Sequence, residues 1–231
     1  MKVVILCGGL GSRLAEETKL IPKPMIKIGK IPIVHHIIQF YQSYGFKDFI
    51  LATGYKKEIL ERFYKNEKRI KCVYTGNGTL TGGRLLRLKK YFKKNEIFSV
   101  TYGDGLTNQN LKKLYLFHKK HKKIATLTAV RPPARFGELN ILGNKVQKFQ
   151  EKPQLKNNWI NGGFFIFNYK IFNFISGDKI MLEREPFNNL TKKKQLMAYK
   201  HYGFWQCMDT MRDKKVLSDL WKEKKAPWKK K

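Results

Sequence analysis

Cysteine is rare in this chain. Cys7, Cys72 and Cys207 are odd in number, far apart, and show neither a C-x-x-C pair nor a metal-ligand spacing, so they are read as reduced, structural thiols. Long hydrophobic runs are missing too. No apolar stretch approaches the roughly 18 residues of a membrane span, and Met1 opens a strand in place of a charged leader, so a soluble, cytoplasmic protein is expected. The five histidines form no ligand constellation, and neither an internal repeat nor a long linker is visible. Two common phosphate signatures are also absent: there is no G-x-G-x-x-G and no G-x-x-x-x-G-K-[ST].

Acidic residues are scarce. Asp and Glu number 17 against 48 Lys and Arg, a net charge of +31. Clustered cations would suggest nucleic acid. Here they are spread along the chain, as at Lys56-Lys57, Lys89-Lys90 and Lys119-Lys120, and Lys greatly outnumbers Arg. They are read as solvated surface lysines, whose field still attracts an anionic substrate, and no nucleic acid or membrane partner is expected.

What is present is a chain of 231 residues, 42% hydrophobic, enough for a sizeable core in one α/β domain. Strands are expected at 3–6, 49–53, 71–74, 97–101 and 124–130, alternating with helices at 33–45, 57–64, 83–92 and 111–121. That alternation predicts a Rossmann-like, mainly parallel sheet flanked by helices. The later chain is richer in β-structure: a hairpin at 138–141 and 145–149, strands at 159–167 and 196–201, and helices at 182–192 and 211–223. Residues 1–130 are expected to bind a nucleotide and 131–231 to bind an acceptor and close the domain, with a loosely held basic tail from Trp228 onward.

The chemistry gathers at the start. A buried strand empties into Cys7-Gly8-Gly9-Leu10-Gly11-Ser12-Arg13, and Pro22-Lys23-Pro24 follows. A loop lacking Cβ atoms at three positions lets backbone N–H groups approach phosphate, with Arg13 as a forked donor and Lys23 as a point charge. Cys7 is read as a packing residue.

These residues resemble the signature of the sugar-phosphate nucleotidyltransferases, G-G-x-G-S/T-R followed by P-K-P. Further segments carry the resemblance toward the glucose-1-phosphate cytidylyltransferase branch. Among them are Thr81-Gly82-Gly83-Arg84, Tyr102-Gly103-Asp104-Gly105, Gln150-Glu151-Lys152-Pro153, Trp159-Ile160-Asn161-Gly162-Gly163, Glu183-Arg184-Glu185-Pro186 and the run 203–213. The resemblance implies transfer of a cytidylyl group from CTP to a sugar 1-phosphate, with release of pyrophosphate. UTP or dTTP, a different acceptor, or a non-catalytic binding protein remain as alternatives.

It also implies residue roles. Asp104 and Asp209 would hold Mg²⁺, since that ion takes one or two carboxylates plus phosphate oxygens and water; a turn-forming Asp104 and a helix-capping Asp209 are the plain alternatives. Leu6, Gly8, Gly9, Gly11, Ser12, Arg13 and Lys23 would line the triphosphate. Thr81, Gly82 and Arg84 would face the base, Arg84 donating to its carbonyl. Lys152 would hold the sugar phosphate, with Glu151, Asn161, Gly162 and Trp205 beside the sugar. Members of this branch carry an additional segment after the helix that here ends near Tyr64, which bears on assembly; a homo-oligomer is expected.

Overall fold

The computed structural model describes residues 1–9, 11, 14–132, 137–151 and 158–229. In chain order, β1 is Val3–Cys7, α1 Ala15–Thr18, β2 Lys27–Ile28, β3 Ile31–Pro32, α2 Ile33–Gln42, β4 Phe49–Thr53, α3 Lys57–Phe63, β5 Ile70–Tyr74 and α4 Thr81–Arg87. Then come β6 Ile97–Tyr102, β7 Gly105–Thr107, α5 Leu111–His121, β8 Ala125–Val130, β9 Glu138–Leu142 and β10 Lys145–Gln150. The chain continues through β11 Ile160–Asn168, α6 Glu185–Lys192, β12 Leu196–His201, β13 Trp205–Cys207 and α7 Met211–Lys222.

Seven strands form one sheet in the order β12-β8-β11-β6-β1-β4-β5. β1 pairs in parallel with both β4 and β6, and β8 with β12. β11 runs antiparallel to β6 and β8, so the sheet is mixed but mainly parallel. β1 is buried at all five positions. Its period of two sends Val3, Ile5 and Cys7 into one core and Val4 and Leu6 into the other, as a strand covered on both faces requires. β11 and β12 join this same sheet. Elsewhere in the β-rich later chain, β13 pairs with β7 outside this sheet, and the hairpin β9–β10 stands apart, exposed along both strands.

From β1 the chain moves outward to β4 and β5, then crosses back to β6 on β1's other side. A crevice opens where such windings diverge, outside the carboxyl ends of the strands. The glycine loop leaves β1 there, and Asp104 follows β6.

Local expectations change: the helix expected at 33–45 ends at Gln42, and that expected at 182–192 starts at Glu185. The helix expected at 83–92 starts earlier, at Thr81, and ends at Arg87, giving way to a 3₁₀ turn at Lys89–Tyr91. The tail is not loose at Trp228, whose side chain is 2% exposed and whose Nε1 donates to His36 Nδ1 at 3.3 Å.

Candidate active site

A cavity of about 290 Å³ sits at the crevice, lined among others by Leu6, Gly8, Gly9, Gly11, Lys23, Thr81, Arg84 and Asp104. Hollows of about 610 and 470 Å³ beside Phe174 are larger but carry neither a glycine loop nor a carboxylate pair. Site chemistry therefore belongs to the smaller one.

Gly11 takes φ +66°, a left-handed conformation that favours glycine, and its carbonyl accepts from Leu14 N at 2.9 Å and Thr18 Oγ1 at 3.2 Å. The loop thus turns directly into α1. Ser12 and Arg13 lie outside the described residues, as does Lys152.

Lys23 begins a 3₁₀ turn, Lys23–Met25, set between Pro22 and Pro24. Pro24 packs on Gly103, where an added Cβ would lie 3.0 Å from Pro24 Cγ. The rigid turn aims the ammonium at two carboxylates: Lys23 Nζ donates to Asp104 Oδ2 at 2.5 Å and to Asp209 Oδ1 at 2.5 Å. Burial works against its charge, but the Asp104 and Asp209 carboxylates outweigh it and raise the Lys23 pKa above its ordinary value. Lys23 is a permanent cation here.

Asp104 does sit in the turn between β6 and β7, as its plain alternative expects, whereas Asp209 does not cap α7. β7 pairs antiparallel with β13, and Met208 N donates to Asp104 O at 2.9 Å, which sets Asp209 beside Asp104. The cap of α7 is Thr210, in a capping box with Asp213. Asp213 also accepts from Asp209 N at 3.1 Å, and the Asp209 carboxylate turns to Lys23.

Two carboxylates converging on one cation match the donor set of a divalent ion that takes its other ligands from phosphate and water. Among the described residues no group of three or more His, Cys, Asp or Glu side chains is placed to hold a metal, so these residues alone form no closed cage.

Arg84 is placed differently from its expected role. It is 4% exposed, with Nη1 donating to Thr53 O, Thr75 Oγ1 and Gly76 O and Nη2 to Gly8 O at 2.7 Å. These bonds tie the strand ends to the glycine loop from behind, in place of a base carbonyl. Gly82 likewise faces the chain: its N donates to Ile180 O at 3.0 Å, and a Cβ would stand 2.8 Å from that oxygen. Thr81 Oγ1 donates to Glu183 Oε2 at 2.6 Å.

Among the residues expected beside the sugar, none of which lines the cavity, Asn161 Nδ2 donates to Tyr102 Oη at 3.4 Å, and Trp205 Nε1 donates to Gly162 O at 2.7 Å. Asn161 and Gly162 therefore tie β11 to β6 and β13. Glu151 lies just past the exposed strand β10 and does not line the cavity. The sequence motifs that contain Tyr102 and Glu183 give them no role, which hydrogen bonds between distant positions reveal. Burial pushes the Cys7 thiol well up, in keeping with a packing residue and against a nucleophile.

The Nucleotidyl transferase family model matches residues 2–212. A glucose-1-phosphate cytidylyltransferase of Salmonella typhimurium is 44% identical, covering 99% of each chain. That alignment runs over 254 positions, more than the 231 residues here, so the relative carries residues without a counterpart. A mannose-1-phosphate guanyltransferase of Saccharomyces cerevisiae is 32% identical over 94% of this chain and 63% of its own. Among solved structures, HddC from Yersinia pseudotuberculosis superposes with a TM-score of 0.76 at 24% identity, over 95% of this chain and 99% of that one, a likeness of fold. By its family match and its full-length identity, this chain belongs to the nucleotidyl transferase family.

Proposed function

We propose that the protein transfers a cytidylyl group from CTP to a sugar 1-phosphate, most directly α-D-glucose 1-phosphate, giving CDP-glucose and pyrophosphate. The observation that carries this reading is Lys23 clamped between Asp104 and Asp209 at the mouth of the glycine loop. The 44% identity to a glucose-1-phosphate cytidylyltransferase supports the choice of substrates.

In the reaction a phosphate oxygen of the sugar phosphate attacks the α-phosphorus of CTP. A new P–O bond forms, the bond between the α-phosphorus and the bridging oxygen breaks, and pyrophosphate leaves with that electron pair. No covalent enzyme intermediate is needed, so catalysis is positioning and charge neutralisation. Backbone N–H groups of Gly8, Gly9 and Gly11, with Arg13, hold the departing phosphates. Lys23 neutralises the α-phosphate, and Lys152 grips the incoming phosphate. Asp104 and Asp209 would hold Mg²⁺, which would supply further positive charge against the triphosphate. Asn161 meets the sugar.

The proposal extends to setting and assembly. The reaction would take place in the cytoplasm, where nucleoside triphosphates are made; among the described residues no helix is long and apolar enough to cross a membrane. A homo-oligomer is supported by the hairpin β9–β10, which exposes Leu139, Ile141, Leu142, Val146 and Phe149, an apolar strip suited to a second copy.

The test is pyrophosphate release with CTP, UTP, dTTP, ATP or GTP against a panel of sugar phosphates, with Mg²⁺. Release with CTP and glucose 1-phosphate is expected to exceed every other pair. No release with any CTP pair would overturn the reading.

A further inference from the structure

Behind the cavity one carboxylate joins its two halves. Glu183 sits in the turn ahead of α6 and is half-buried. Its Oε2 accepts from Thr81 Oγ1 at 2.6 Å, and its Oε1 accepts from Tyr102 Oη. Thr81 is the first residue of α4 and lines the nucleotide side. Tyr102 ends β6, two positions before Asp104, and faces Asn161 on the acceptor side.

Donor and acceptor directions in this relay are fixed by chemistry. An ionised carboxylate only accepts, so both hydroxyls must give it their single proton. Having donated, Thr81 Oγ1 can only accept, as it does from Leu182 N at 2.9 Å. Tyr102 Oη likewise can only accept, which faces it with the amide nitrogen of Asn161. Gly163 N donates to Asn161 Oδ1 at 2.9 Å and fixes the other end of that amide. The Asn161 amide is thereby held in one orientation.

We infer that Glu183 is a positioning residue that sets the hydrogen-bond directions of both halves of the site at once, through Thr81 toward the nucleotide and through Tyr102 and Asn161 toward the sugar phosphate. The inference rests on the proposed cytidylyl transfer and adds a residue to it. One carboxylate therefore couples the two substrate affinities.

Steady-state kinetics on the full chain with CTP and glucose 1-phosphate tests this. Tyr102→Phe keeps the ring and loses Oη; it should raise KM for glucose 1-phosphate about tenfold, the scale of one hydrogen bond, and leave KM for CTP within about twofold. Thr81→Val should do the reverse. Glu183→Gln keeps the size but sets an NH₂ against one hydroxyl, and should raise both KM values about tenfold with a smaller change in kcat. In the Glu183→Gln/Tyr102→Phe double variant, KM for glucose 1-phosphate should be no higher than in Glu183→Gln, because both changes remove the same contact.

Should Glu183→Gln fail to fold, the crossed pattern of Tyr102→Phe and Thr81→Val decides alone. A wild type that turns over, with a Glu183→Gln rise confined to one substrate or absent, or with additive effects in the double variant, overturns this inference and leaves the functional reading standing. A wild type that releases no pyrophosphate with any pair overturns both.

Discussion

The backbone N–H of Met208 donates to the carbonyl of Asp104 at 2.9 Å, and this bond continues the three-residue pairing of β7 with β13. It sets two carboxylates from distant parts of the chain on one ammonium. Replacing either by an amide keeps its size and removes one negative charge in front of Lys23. Asp104→Asn and Asp209→Asn should each lower kcat on the order of 10²-fold or more, the scale seen when one pre-organised electrostatic partner is lost. The concentration of Mg²⁺ needed for half-maximal rate should rise, and the melting temperature should stay close to that of the unmodified protein. Pyrophosphate release across a Mg²⁺ titration reads both. Near-normal turnover would remove the residue from the reaction centre.

Gly163 carries the next prediction. It holds φ +76°, and a Cβ there would lie 2.4 Å from Tyr102 Cδ2. Gly163→Ala combines a left-handed backbone penalty of about 1–3 kcal/mol with displacement of a ring that orients Asn161. Gly143 has φ +59° but nothing within 4 Å of an added carbon. Gly143→Ala should therefore show the backbone term alone. Urea unfolding should rank Gly163→Ala as the less stable of the two, and only Gly163→Ala should raise KM for the sugar phosphate. Equal losses would mean that the Tyr102 contact contributes nothing.

Much of this was legible in the sequence, for definite reasons. β1 declares itself through an unbroken apolar run, and α5 and β12 through periodicity and turn residues at both ends; their bounds, Leu111–His121 and Leu196–His201, match the reading from sequence. The glycine loop and Lys23 were legible because phosphate chemistry demands those residue types close together. Other features depend on who faces whom. Gly82 reads as an opening toward a ligand, yet Ile180 O occupies that space. Arg84 reads as a base donor, and only the fold shows four acceptors around it. Three-residue strands such as β7 and β13 carry too little periodicity to be seen, so the pairing that unites Asp104 with Asp209 could not be read locally.

Acid sensitivity follows from a buried histidine. His118 is 2% exposed, and its Nδ1 lies 2.8 Å from Thr126 Oγ1, which His121 Nε2 also meets at 2.7 Å. Burial, aided by the His121 charge, pushes the His118 pKa down to about 4 from an ordinary 6.5. The unfolded chain thus binds this proton at a higher pH than the native one. The stabilisation is present above pH 6.5 and is lost as pH falls toward 4, by about 3 kcal/mol from this group. His36 is shifted in the same direction, again by burial. Urea unfolding at pH 7 and pH 4.5 should show the loss, and His118→Gln should flatten the slope between them. An unchanged slope in that variant would assign the acid sensitivity to other groups.

The last prediction concerns the end of the described chain, where the tail was expected to be loose. Trp228 is buried, donates to His36 Nδ1, and stacks on Phe204 with ring centroids 5.6 Å apart. His36 Nε2 lies 2.9 Å from Ile28 O, so the tail closes a chain of contacts through α2 to the β2–β3 ribbon. Truncating such a side chain removes its burial and leaves a cavity. Trp228→Ala should cost about 3–5 kcal/mol, and Trp228→Phe, which keeps much of the packing but not the N–H, about 1 kcal/mol from the lost hydrogen bond. Phe204 immediately precedes β13, so a loosened tail should also relax the hold on Asp209 and lower turnover in the alanine variant more than in the phenylalanine one. Denaturant midpoints and pyrophosphate release on the same samples decide it: a Trp228→Ala protein as stable as the unmodified chain would show that the tail contributes nothing, however well it is buried.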